Sequence, residues 1–260
     1  MKEILENCFL DEKYKYVIRD NKEKNKEVFD FLHNFNALIV KVLYNFDGIL
    51  NTKETFYIVP AFAEIVRLYQ AGVIMLEYGI PEVCESILRS IYDLKFQMLY
   101  VLEDNYNFQR LVKKTFKKEI DKLNYVEKNS LYNYVSKDVA DKSRELFEQT
   151  IQGLEHIKCA PDTKKMCEDL DLKEDYLFYS LLCNYTHLSC DVICGLNIDN
   201  KIDTLPNYRD VGYIGLRLCT SLDLILNKLI EKYAPHLSNE YENLVKECEK
   251  LLENIKRNKP

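Results

Sequence analysis

Only seven glycines and six prolines punctuate the 260 residues of this chain. Multi-strand folds and loop-built enzymes spend Gly and Pro at every turn, so this scarcity favours long helices joined by short connections. The apolar pattern agrees. From Glu27 onward Val28, Phe31, Leu32, Phe35, Leu38, Ile39 and Val42 recur at three- and four-residue steps, which is one buried helical face. Thr52 or Thr55 suits the N-cap of the next helix, which carries Pro60 near its start, where Pro is tolerated. Gly79-Ile80-Pro81 breaks the chain and puts Pro81 at the start of a third helix reaching about Asp104. That helix is apolar over most of its circumference, so it is expected at the centre. Further helices are expected over about 108–126, 137–154, 174–194, 208–233 and 238–255, the last capped by Ser238.

The fold class is therefore all-α, as a single antiparallel helical bundle of about seven to nine helices. A polar N-terminal segment covers 1–25 and one helical domain covers 26–257. Hydrophobic residues make up 47% of the chain, enough for a core. The net charge of −6 gives no global attraction to a nucleic-acid backbone. Lys113, Lys114, Lys117, Lys118 and Lys122 lie on one segment, but Glu119 and Asp121 interrupt it, and a solvated helix face is the plainer reading.

The nine cysteines form no CxxC pair, and the chain opens without an apolar signal core. Free thiols in a reducing cytoplasm are expected. The most apolar stretch, 57–78, contains Glu64, Arg67 and Glu77, so no membrane span is expected.

Two polar groups stand out. Glu85, Arg89 and Asp93 fall at four-residue spacing on the third helix, and at about 100° per residue they share a stripe. On an exposed face this would be a ladder of weak ion pairs; on a half-buried one, Arg89 needs carboxylates that the spacing supplies. The second group, Cys183, His187, Cys190 and Cys194, shares a face of a later helix. Its axial spread of roughly 16 Å is too long for a single four-ligand metal site, so no metal and no cofactor are expected, and the thiols read as core. A His on an apolar stripe is ordinarily a core residue, but opposite Arg89 and Asp93 it could move a proton. No P-loop, GxGxxG, GxSxG, kinase, His-Glu-x-x-His or Glu-x-x-His pattern is present.

The run from Glu85 to Asp93, with Leu88-Arg89-Ser90 at its heart, and the run from Tyr179 through Asn184 to His187 together resemble an uncharacterised bacterial all-α family. Its pattern is a Leu-Arg-Ser helix with an acid four residues after the Arg, then a Tyr-rich helix ending in His. The resemblance covers roughly Phe62 to Cys194, with Asp93 where the family more often carries Glu. The helical layout of that family is similar to the HEPN superfamily, many of whose members are ribonucleases of toxin–antitoxin or abortive-infection systems. Their usual signature, an Arg and a His separated by four to six residues on one helix, is not present. The positions after Arg89 are Leu94, Lys95 and Phe96.

The resemblance implies a metal-independent, RNA-directed site assembled from two helices. Arg89 would stabilise phosphate, Asp93 would orient, and His187 would be the acid or base, with Glu85, Tyr179 and Asn184 supporting. RNA or an antitoxin-like protein would be the partner, and a homodimer is compatible with such a bundle. The alternative is a non-catalytic interaction or regulatory module in which Arg89, Asp93 and His187 form a buried network fixing helix register. A small-molecule or metal-binding bundle using the Cys/His stripe is the third reading.

Overall fold

The apolar steps from Val28 to Val42 do form one helix, buried along the face they define. The computed structural model describes residues 15–46, 52–104, 106–133, 135–186, 197–198, 201–202 and 211–257. Among the described residues eleven α-helices run in chain order: α1 Lys15–Lys24, α2 Lys26–Tyr44, α3 Lys53–Glu77, α4 Pro81–Glu103, α5 Asn107–Lys128, α6 Lys137–Gly153, α7 Thr163–Asp169, α8 Lys173–Thr186, α9 Val211–Thr220, α10 Asp223–Tyr233 and α11 Ser238–Arg257. Those residues are all-α, with more helices than the seven to nine expected, because α1 and the short α7 add to the periodic segments and the single helix expected over 208–233 is broken at 221–222 into α9 and α10. A two-residue antiparallel ladder, Asn197–Ile198 with Lys201–Ile202, is too short to make a layer.

Local chemistry explains several boundaries. Thr52 and Thr55 both serve the start of α3: the Thr55 amide donates to Thr52 Oγ1 and the Thr52 amide to Thr55 Oγ1, which closes a capping box. Gly79, at φ 73°, ends that helix in the left-handed region, and Pro81 starts α4 where its missing N–H costs nothing. Two boundary expectations are corrected. Pro60 lies inside α3, because the helix already begins at Lys53. Ser238 does not cap α11; a 3-10 turn, Pro235–Leu237, leads into it, and Ser238 is already helical with its hydroxyl donating to the Pro235 carbonyl.

Helix α4 packs against α3, α5, α7, α8, α9 and α10, so its apolar circumference does place it centrally. Helix α3 is long and apolar enough from Thr55 to Glu77 to cross a membrane by length and composition, yet Ile58, Phe62, Ile65, Tyr69 and Leu76 are fully buried against protein. Helix α9 reaches both α2 and α3 closely at glycines. A Cβ on Gly72 would stand 3.0 Å from Leu218, and one on Gly215 would stand 3.0 Å from Leu32. One continuous apolar cluster runs from Val28 to Cys248.

Candidate functional site

The site begins with the four-residue spacing on α4. Leu88, Ile91 and Phe96 bury one side of the helix, which leaves Arg89 and Asp93 at its half-covered edge. The Arg89 Nη1 and Asp93 Oδ2 atoms are 2.7 Å apart, with both side chains about a quarter exposed. The pair is neither a surface ladder nor sealed in the core.

Helix α8 closes over this edge. Arg89 Nη2 donates to the Tyr179 hydroxyl at 3.2 Å, and the guanidinium carbon lies 5.4 Å from the centre of the Tyr179 ring. The Tyr179 ring meets Phe96 edge-on at 5.7 Å, which fixes its orientation. Burial, reinforced by the Asp93 carboxylate, pushes the Tyr179 phenol above its ordinary range, so at neutral pH it is a donor as well as an acceptor. Burial opposes the charge of Arg89, but Cys183, Asp93 and Tyr179 more than offset it and hold the guanidinium protonated. Its Nε is buried and has no hydrogen-bond partner among the described residues. Each Nη carries two hydrogens and uses one on Asp93 or Tyr179, so donor capacity remains.

The structure thus brings together Arg89, Asp93 and Tyr179, with Cys183 beside them. Glu85 sits one turn earlier on the same stripe, half-buried. Asn184 lies in the last turns of α8. His187 follows Thr186 in the chain and lies outside the described residues, as do Cys190 and Cys194. Among the described residues no group of three or more His, Cys, Asp or Glu side chains is gathered as metal ligands require.

Sequence reasoning missed a second polar layer on the same helix pair. Lys95 is almost fully buried, its ammonium 2.9 Å from Asp175 on α8 and 5.0 Å from the centre of the Tyr92 ring. Tyr92 packs edge-on against Phe178, also on α8. Arg217 comes from α9, its guanidinium 4.5 Å from the Phe178 ring centre. The available signal was a lone cation inside an apolar helix, as with Lys95 between Leu94 and Phe96 and Arg217 between Leu216 and Leu218. Such a residue must find partners or water.

A half-buried guanidinium held between a carboxylate and a phenol, where two helices meet, defines a helical protein with a polar site between its Arg-bearing and Tyr-bearing helices. The chain belongs to the family of unknown function DUF5677, whose model matches residues 55–202, more than half its length. That span runs from Thr55 in the first turn of α3 through α8, hence includes Arg89, Asp93 and Tyr179 but not Arg217. The family is uncharacterised, in keeping with the resemblance. No curated protein and no solved structure matches the chain.

Proposed function

We propose that this protein is a HEPN-like, RNA-directed, metal-independent ribonuclease of the kind that serves phage defence or toxin–antitoxin pairs. The observation that carries the reading is the contact of Arg89 with Tyr179, which joins the Arg–Asp helix to the helix that His187 follows in the chain. In this reading Asp93 and Tyr179 hold the guanidinium, whose remaining hydrogens face the non-bridging oxygens of a phosphodiester. His187 removes the proton of the 2′-hydroxyl as its oxygen attacks phosphorus. The P–O5′ bond breaks, water returns a proton to the leaving oxygen, and a 2′,3′-cyclic phosphate remains. The antiparallel bundle over 26–257 is the scaffold of this reading, the cytoplasm its setting, and RNA or an antitoxin-like protein its partner.

The test is incubation of the purified chain with RNA and with DNA of the same sequence, in chelator. The expected result is cleavage of RNA only, lost in His187→Ala with the helical circular dichroism signal unchanged. Undiminished cleavage by that variant removes His187 from the mechanism.

The second reading is a non-catalytic interaction module. What favours it is that Arg89 already bonds to both Asp93 and Tyr179, as a network that fixes the register of α4 and α8 would. Intact RNA after incubation with wild-type protein, with marked destabilisation on Arg89→Ala, would select it.

A further inference from the structure

Arg217 differs from Arg89, which also contacts α8. Arg89 has a carboxylate partner; Arg217 makes no ion pair among the described residues. Its Nε and Nη2 both donate to the Tyr213 hydroxyl, at 2.9 and 2.6 Å, one helical turn back on α9. The guanidinium carbon lies 4.5 Å from the centre of the Phe178 ring and 5.1 Å from that of Tyr213. Its Nη1 has no partner among the described residues.

A half-buried cation without a counter-charge is costly, and chains ordinarily place a carboxylate beside it. Among the described residues the sequence instead places the Phe178 ring and the Tyr213 phenol there. These fix the direction of the fork without neutralising it, which is how a protein prepares a guanidinium for an anion supplied from outside. The Phe178 ring that carries Arg217 is the chain neighbour of the Tyr179 ring that carries Arg89. The two cations therefore flank consecutive residues of α8, one tied to Asp93 and the other without a carboxylate partner among the described residues.

We infer that Arg217, held by Tyr213 and Phe178, is a second phosphate-binding residue that takes a phosphodiester group of the same RNA strand that Arg89 engages. This rests on the RNA reading above. Arg217 is a binding residue in this scheme, and the bond-breaking step does not run through it.

The experiment measures binding of a fluorescent, fully 2′-O-methylated oligoribonucleotide, which cannot be cleaved, across a salt series. It uses the full chain as wild type, Arg217→Gln, Arg217→Lys, Tyr213→Phe and Arg89→Gln. Arg217→Gln is expected to weaken Kd about tenfold and to make the slope of log K against log salt shallower by about 0.7, the contribution of one phosphate contact on a single strand. Tyr213→Phe, which frees the fork but keeps the charge, should weaken binding less and leave the slope unchanged. Should Arg217→Gln fail to fold, Arg217→Lys must still bind more weakly than wild type, because a lysine keeps the charge without the fork.

Wild-type Kd and slope in a folded Arg217→Gln overturn the inference. If Arg89→Gln has at the same time lost RNA cleavage, the ribonuclease reading stands without it. If wild type neither binds nor cleaves RNA, that reading falls, and inorganic phosphate decides the anion site. A rise in Tm with phosphate in wild type that is absent in Arg217→Gln upholds phosphate binding at Arg217; equal responses remove it.

Discussion

The body of the molecule and the α5–α6 hairpin are both helical, yet they are held by different forces. In the body, α2, α3, α4 and α9 surround fully buried Phe31, Phe62, Ile65, Tyr69 and Phe96, and contact is apolar on nearly every side. In the hairpin, α6 buries only Ala140 and packs mainly on α5, with Phe116 stacked on Phe147 at 4.8 Å. Beyond Leu111 and Phe108, which pack α5 against the core, what ties it down is polar. The Lys113 ammonium donates to the carbonyls of Leu154, Glu155 and Ile157 at 2.7, 3.2 and 2.7 Å, the Asn107 amide to the Tyr100 carbonyl, and Lys114 to the Pro161 carbonyl. Apolar burial gives a cooperative body, whereas a few directional bonds give a segment that opens on its own.

The contrast can be broken at either end. Phe62→Ala should cost about 3–5 kcal/mol by urea denaturation, because the surrounding helices cannot close the cavity. Lys113→Met should cost about 2–3 kcal/mol, since three inward carbonyls lose a charged donor. Hydrogen exchange should then speed up in α5 and α6 while the amides of α3 stay protected. Uniform loss of protection would mean the hairpin is part of the same cooperative unit. Arg89→Ala should fall between a broken buried pair and an exposed one, at about 1–2 kcal/mol. A loss below about 0.5 kcal/mol would reveal Arg89 as an ordinary surface cation.

Alkali should act on the two regions with opposite sign. Burial pushes the Tyr57 phenol and the Cys167 thiol, both in the body, up to about 12 from 10.0 and 9.0. Their stabilisation is complete below the ordinary values and is lost as pH climbs from about 9 to 12. Burial lowers the pKa of Lys114, so its contribution to the hairpin grows as pH rises toward the ordinary 10.5. Amide protection above pH 9 should therefore fall in α3 and α7 before it falls at the α5 anchor. The smallest effect is expected at Lys142→Ala, whose partner Asp138 is as exposed as itself, with an unfolding midpoint unchanged within error.

Much of this architecture was legible in the sequence. Periodicity and the scarcity of breakers found the long helices, and the Arg89–Asp93 pair followed from spacing on one helix, since neighbours at four residues meet wherever the helix lies. The Thr52–Thr55 cap was legible for the same reason. What could not be read were relations between helices. Resemblance named Tyr179 only as a supporting residue; that it lies over Arg89 could not be read, because spacing within one helix says nothing of which neighbour covers it. Lys113 and Lys114 illustrate the converse. They read as part of a solvated lysine face, but the α5 position that meets residues 154–161 turns these two inward while Lys122 stays outside with Glu119. Arg217 and Lys95 were visible only as cations in apolar helices, with nothing local to name their partners.

The bowl of carbonyls around Lys113 has a consequence for how the protein meets its ionic surroundings. Dissolved ions compete with surface couples such as Lys41–Glu240 and Lys142–Asp138 and weaken them as concentration rises. An ammonium shielded from bulk water and facing neutral dipoles offers no such opening. The anchorage of the hairpin should therefore stay constant from dilute buffer to molar salt, although it is built on a charge.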